Sequence, residues 1–207
     1  MKILHRGIAG ALIGFFCWVT AAAAAPAAGG ETGNLMTPSA DLMRPGQFHI
    51  GWYEQARQHR LVAAAALDRR WEISALRRTG GASDVEAGFK YALRGESVLT
   101  PGVAVGAEDL TAEHRRSFYA VLSKTLPYGL RVHAGTGNGR YAGGFAALEV
   151  RLLPGVGVGR FPDASAYAEH VDGHAAYGVR LALSRGMKLA VGVDGHEHFV
   201  GISYNFY

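Results

Sequence analysis

The sequence predicts an all-β chain, an antiparallel up-and-down β-barrel of about 12 strands in a single domain, and three observations carry that expectation. Apolar and polar residues alternate with period two along most of the chain after Gln47, turn residues punctuate the alternating runs, and the chain ends on the amphipathic stretch "HFVGISYNFY". In that stretch Val200, Ile202, Tyr204 and Phe206 alternate with Gly201, Ser203 and Asn205, although terminal residues ordinarily lack partners that hold them. A closed barrel supplies the reason, because its last strand must pair with its first if every backbone group in a membrane is to have an internal partner. The apolar set is then expected to face lipid, with Tyr204 and Phe206 in an aromatic girdle, and the small polar set to face inward.

The elements follow in order. Residues 1–25 read as a secretory signal peptide: Lys2 and Arg6 precede an apolar run from Gly7 to Thr20, and Ala21 to Ala28 offers small-residue cleavage sites. The run is shorter than the roughly 20 residues of a spanning helix. Cys17, the one cysteine, lies inside it, so the exported chain is expected to rely on packing and strand pairing without disulfides. Residues 26–46 form a polar lead-in rich in Gly and Pro, and residues 47–207 form the barrel domain.

Within the barrel domain Phe48, Ile50 and Trp52 alternate with His49, Gly51 and Tyr53, and Trp71, Ile73 and Ala75 with Glu72 and Ser74. The same pattern recurs at Val85 to Tyr91, Leu130 to His133, Tyr177 to Ser184 and Lys188 to Asp194. Strand centres are expected near residues 51, 64, 74, 89, 104, 120, 132, 147, 158, 178, 190 and 202. "LVAAAAL" and "SALRR" are open to a helical or an extended reading. Asp194-Gly195 is read as a type I′ hairpin turn, with Arg185-Gly186, Asp172-Gly173 and Gly80-Gly81 acting similarly and Pro127 and Pro154 breaking apolar runs. "FYAVLSKTLPYGLRVHAGTG", "FAALEVRLLPGVGVGRF" and "YGVRLALSRGMKLAVGVDG" repeat one plan of strand, turn and strand. Connections at 126–128, 153–155 and 184–186 read as tight and those at 109–115, 136–141 and 162–173 as long, which assigns the short turns to one rim, taken as the periplasmic one, together with both ends of the barrel.

Lys2 and Arg6 account for two of the formal +4, so the exported chain is nearer +2, too weak a charge to indicate nucleic acid. The residues expected to face the lumen are Glu72, Glu86, Lys90, Lys124, Arg131, His133, Glu149, Arg151, Arg180 and Lys188, a set of mixed sign that can fill the interior with ion pairs and hydrogen bonds or line a narrow polar path. His170, Asp172 and His174, and again His196, Glu197 and His198, have the spacing of metal ligands but sit at turns, where polar residues are ordinary. "GTGNGRYAGG" (Gly135 to Gly144) lacks the Lys-Ser/Thr of a phosphate loop and reads as a flexible rim loop. Ser123 and His133, on adjacent expected strands, are the candidate pair for hydrolase chemistry, with no local motif around them. No catalytic residue, cofactor or metal is called for.

"GNLMTPSADLMRPGQFHIGWY" (Gly33 to Tyr53), "PGVAVGAEDL" (Pro101 to Leu110), "SFYAVLSKTLP" (Ser117 to Pro127), "GGFAALEVRLLP" (Gly143 to Pro154) and "FVGISYNF" (Phe199 to Phe206) together resemble the YjbH-like outer-membrane β-barrel family. "GRFPDASAYAEHVDG" (Gly159 to Gly173) departs from the continuous strand found there. The resemblance implies an outer-membrane location and a non-enzymatic accessory or export role for an exopolysaccharide, with membrane lipid, polysaccharide and envelope secretion proteins as partners. The rival readings are a soluble periplasmic barrel that binds a ligand and an outer-membrane lipid-modifying enzyme.

Overall fold

The computed structural model describes residues 25–79, 84–152 and 163–206. The leader as far as residue 24, the Gly80-Gly81 and Pro154 turns, the strand centre at 158 and Tyr207 lie outside them. The described residues form β1 (Phe48–Gln55), β2 (Gln58–Ala66), β3 (Trp71–Thr79), β4 (Val85–Arg94), β5 (Gly102–Glu108) and β6 (Ser117–Thr125), then β7 (Leu130–Gly137), β8 (Phe145–Arg151), β9 (Asp163–Val171), β10 (His174–Ala182), β11 (Met187–Asp194) and β12 (Glu197–Phe206). Each strand pairs antiparallel with its neighbours in sequence, and β12 closes on β1 in a closed barrel. Closure runs from Phe48↔Phe206 to Gln55↔Phe199 without a break, so the last residues of β12 are held by β1, while β11 pairs with β12 as far as Tyr204 and Asn205 N–H reaches Gly186 O at 3.0 Å.

Burial follows the pleat. Phe48, Ile50 and Trp52 are exposed on the outer face while His49, Gly51 and Tyr53 are buried inside. Along β12, Val200, Ile202, Tyr204 and Phe206 face out, and Gly201, Ser203 and Asn205 face in. Rings gather at the end of the barrel where the chain closes: Phe48 stacks on Phe206 at 4.4 Å, Tyr204 meets Phe206 at 4.7 Å and Trp71 meets Tyr91 at 4.6 Å. "LVAAAAL" and "SALRR" are both strands, in β2 and β3. Alanine's helical preference is worth tenths of a kcal/mol per residue, and eight ladder partners on each side override it.

The inner wall is built from glycines facing aromatic rings. Tyr53↔Gly201, Tyr119↔Gly106, Phe145↔Gly135 and Phe199↔Gly192 are direct cross-strand partners. A Cβ at any of these glycines would collide with the ring opposite, so each glycine leaves room for an aromatic ring to lie flat along the wall. These pairs account for part of the high glycine content.

Two expectations about connections change. The stretch from 162 to 173 is not a long loop: Asp163–Val171 is β9, directing Tyr167, Glu169 and Val171 inward, and Asp172-Gly173 is a two-residue turn. Its outward residues include Ala164, Ala166 and Ala168, too small to announce an apolar face in sequence. The rims are therefore not divided into plain and elaborated. The rim opposite the closing residues Phe48 and Phe206 carries the long connections 109–116 and 138–144, yet also the two-residue turns 56–57, 172–173 and 195–196.

Turn geometry is the second. Asp172 (φ 54°) and Gly173 (φ 80°) are both left-handed, as a type I′ turn requires. At β11–β12 the central residues are Gly195 and His196, one place later than expected, and of the two only Gly195 (φ 61°) is left-handed, the type II′ pattern. The β1–β2 turn is type I′ on Ala56 (φ 48°) and Arg57 (φ 69°), residues for which this region costs about 1–2 kcal/mol each. Replacing Ala56-Arg57 with Asn-Gly should raise the unfolding free energy by about 1 kcal/mol, seen as a later denaturant midpoint with an unchanged slope. An unchanged or earlier midpoint would show that the turn is not strained.

Candidate functional site

The lumen is occupied by the chain itself. Residues 25–43 run inside the barrel, and Leu35, Met36 and Ala40 join the wall residues Tyr53, Val62, Tyr119, Phe145 and Tyr167 in one buried cluster. The lead-in is thus a plug. Its own turns are few: Ala27 N–H donates to Glu31 O at 2.8 Å, Ala28 N–H to Leu35 O at 2.9 Å and Asn34 N–H to Thr37 O at 2.8 Å. A backbone so irregular, buried this deep, leaves many polar groups that require partners, and the wall supplies them.

Two carboxylates take the N–H groups. Glu169 accepts from three successive amides, Leu35 at 2.6 Å, Met36 at 3.0 Å and Thr37 at 2.9 Å, and from the Thr37 hydroxyl at 2.8 Å. Consecutive N–H groups converging in this way form an anion nest. Glu72 accepts from the Thr32 amide and hydroxyl, both at 2.7 Å, and from Met43 N–H at 3.4 Å. Two cations take the carbonyls. Lys90 Nζ donates to Thr32 O, to Ser39 O at 3.2 Å and to Asp41 O at 2.9 Å, and lies 3.7 Å from Glu72 Oε1. Arg180 donates to Pro26 O and Gly33 O at 3.1 Å and to Asn34 O at 2.5 Å. Glu72 and Lys90 are completely buried. His49 and Tyr53 reach the carbonyls of Gly30 and Pro26.

The other expected lumen residues are placed as follows. Arg131 donates to Asp41 Oδ1 at 2.7 Å and Glu96 Oε2 at 2.8 Å, and Glu86 holds Arg78 at 2.5 Å and 3.2 Å. Glu149 accepts from Ser165 at 2.9 Å and, with Arg151, Lys188 and Arg180, lines a cavity of about 100 Å³ beside the plug. Lys124 does not face the lumen: it shares the outward parity of Phe118 and Leu122, and its ammonium bonds Ser97 O at 2.8 Å and Val98 O at 2.9 Å in the β4–β5 connection.

Ser123 and His133 do meet, with Ser123 Oγ 2.7 Å from His133 Nδ1 as the register Ser123↔His133 demands. The same Oγ accepts Ala40 N–H at 2.8 Å, and His133 Nε2 has no partner among the described residues. A nucleophile needs access and a base held by a third group. Ser123 is 1% exposed and lies under the plug, so the pair fastens Ala40.

The loop at Gly135 to Gly144 is not a loose rim loop. It drives Tyr141 fully into the lumen, 5.3 Å from Tyr119 and 4.9 Å from Phe145, where its hydroxyl donates to Glu108. Neighbouring Arg140 donates to Met36 O at 2.6 Å. The histidine groups are scattered: Asp172 pairs with Arg115 at 2.9 Å, His170 is on the outer face, and Glu197 turns to Gln55 at 3.2 Å. In the β5–β6 connection burial pulls the Asp109 carboxyl up, but the N–H groups of His114 and Glu113 and the Thr111 hydroxyl outweigh it and hold it below the ordinary carboxylate range.

Sequence reasoning missed Glu169, because β9 was not recognised, and missed the plug altogether. The available signal was the coincidence of a small, polar, amide-rich segment, "GGETGNLMTPSADLM", with a lumen rich in charges of both signs.

The family model described as exopolysaccharide biosynthesis protein YbjH matches residues 27–152, more than half of the chain and including the plug from Ala27 onward. Among solved structures the KdgM porin shares the fold, with a TM-score of 0.52 and 14% identity over 78% of this chain and 99% of that one. No curated protein matches.

If Glu169 is the main clamp, Glu169→Gln places an NH2 donor against donor amides while keeping the volume. The amides of Leu35, Met36 and Thr37 should then exchange with deuterium about ten- to hundredfold faster, with β1 and β12 unchanged, as the loss of about 1–3 kcal/mol dictates. Unaltered exchange at those three amides would remove Glu169 from that role. Ser123→Ala should free Ala40 in the same way and leave envelope lipid composition unchanged; a lipid change abolished by the substitution would restore the hydrolase reading.

Proposed function

The chain belongs to the exopolysaccharide biosynthesis protein YbjH family, and from that membership we propose a non-enzymatic outer-membrane barrel that serves polysaccharide export as an accessory or conduit, closed at rest by its own lead-in segment. The leader at residues 1–25 carries it out of the cytoplasm in this reading, and the closed outer face, with Ile50, Trp52, Leu122, Val200 and Ile202 exposed, is the face that lipid covers. Strands of 7 to 10 residues are short for a spanning barrel of roughly 9 to 11, so the apolar band is correspondingly thin. The rim bearing Phe48 and Phe206 then faces the periplasm.

The observation that carries the reading is the way the plug is held. Its anchors are chiefly hydrogen bonds from wall side chains to plug backbone, and its one covalent link among the described residues is its continuation into β1, so the segment can swing out without unfolding a strand. Departure would uncover Glu72, Lys90, Glu169 and Arg180 on an otherwise intact wall, a polar path suited to a hydroxyl-rich chain. Against a soluble ligand-binding barrel stands the apolar outer face; against a lipid-modifying enzyme stands the sealed position of Ser123.

The intact protein in a planar bilayer should conduct almost no current, and deletion of residues 27–41 should open steps of reproducible size while the unheated protein still migrates as a compact barrel on a gel. Equal conductance with and without the segment would rule out a resting plug. Recovery of the native protein in the soluble periplasmic fraction would overturn the membrane location.

A further inference from the structure

At the rim opposite the closing residues, a cavity of about 140 Å³ lies between the plug at Ala28 and Gly29 and the wall. Arg60, Arg78, Arg115 and Arg140 all line it. Three of these have acidic partners: Arg78 bonds Glu86, Arg115 bonds Asp172 at 2.9 Å and Arg140 reaches Glu108 at 3.5 Å. The remaining lining carboxylate, Asp109, is taken up by the amides of Glu113 and His114.

Arg60 stands apart. It makes no hydrogen bond or ion pair with any described residue, and its Nε is buried without an acceptor. It is also the direct cross-strand partner of Arg78, and like charges placed opposite one another destabilise a sheet. The two carboxylates that act on it from a distance are engaged elsewhere, Glu86 with Arg78 and Asp194 with Gln55 at 3.1 Å. A half-buried guanidinium set directly opposite another, with no acceptor of its own, is a repulsion that nothing among the described residues relieves, and an absent anion would relieve it.

We propose that Arg60, with Arg78 and Arg140 beside it, forms a binding site for the carboxylate of an acidic sugar residue at the outer mouth of the plugged barrel. A guanidinium fork matches a carboxylate in bidentate geometry, and the cavity admits one small anionic group and not a glycan chain, so the chain itself would lie across the mouth. Occupancy would remove the Arg60–Arg78 conflict. Because Arg140 also holds Met36 O and the cavity touches Gly29, the bound group would sit against the tip of the plug. The site deepens the polysaccharide reading above and rests on it.

The test titrates the detergent-purified full-length barrel with a glucuronate-containing hexasaccharide and a neutral hexasaccharide of equal length, in wild type and Arg60→Gln. Wild type should bind the acidic chain at least tenfold more tightly than the neutral one, and Arg60→Gln should erase that preference while keeping its unheated gel mobility. On wild type alone, free glucuronate should compete for the acidic chain and glucose should not, which decides the matter even if the variant fails to fold. Equal binding of both chains by wild type would overturn the anion site and leave the polysaccharide reading standing. Binding of neither would bring down both, and a variant with wild-type preference would exclude Arg60.

Discussion

Everything inside this barrel depends on one requirement: an irregular backbone buried in a narrow lumen must find a partner for each N–H and C=O it cannot pair with itself. Regular secondary structure would meet that demand internally. The plug, with a few internal backbone bonds and two isolated bridges but no helix or strand, passes much of it to the wall. Where several amides or carbonyls converge, a charged group can meet them together, so Glu169 and Glu72 stand where amides converge and Lys90 and Arg180 where carbonyls converge, while Ser123, Tyr53 and His49 meet single groups. Charges of both signs inside a barrel ordinarily read as ion pairs filling space. Here the charges chiefly address the plug, and the Lys90–Glu72 contact at 3.7 Å is secondary to their bonds to the plug.

The same strands satisfy two solvents at once. Outward residues are apolar and exposed; inward residues alternate between charges that grip the plug and rings that pack on it. The glycine partners of Tyr53, Tyr119, Phe145 and Phe199 make this possible, because a ring can lie along the wall only where the opposing residue lacks a side chain. Twelve strands enclose an interior wider than one of about eight, which side chains alone fill. The glycines keep the rings flat against the wall and leave that width to the plug.

An anchor made of hydrogen bonds has a functional corollary. Each bond is worth on the order of 1–3 kcal/mol net, and several acting together hold the segment firmly while remaining individually reversible. Hydroxyl groups of a saccharide offer the same donors and acceptors as a peptide backbone. On the proposed reading, a wall shaped to hold the plug would also suit a sugar chain, and Arg60 at the mouth would add a preference for charge.

The sequence by itself determined the fold class, the closure of the last strand on the first, and the face on which most residues stand, because a pleat of period two ties side-chain direction to position with no reference to distant contacts. Eleven of the twelve strand centres were legible in that way, and so were the inward directions of Glu72, Lys90, Arg131 and Arg180. The ninth strand was hidden because Ala164, Ala166 and Ala168 form an outer face too small to read as apolar, and Glu169 was lost with it. Lys124 was misdirected because its charge outweighed its parity, and its tertiary partners in the β4–β5 connection lie outside the strand. The fate of the lead-in belonged wholly to the tertiary structure. No periodicity marks a segment whose hydrogen bonds run to residues as far as 154 positions away, and only closing the barrel creates the interior that holds it.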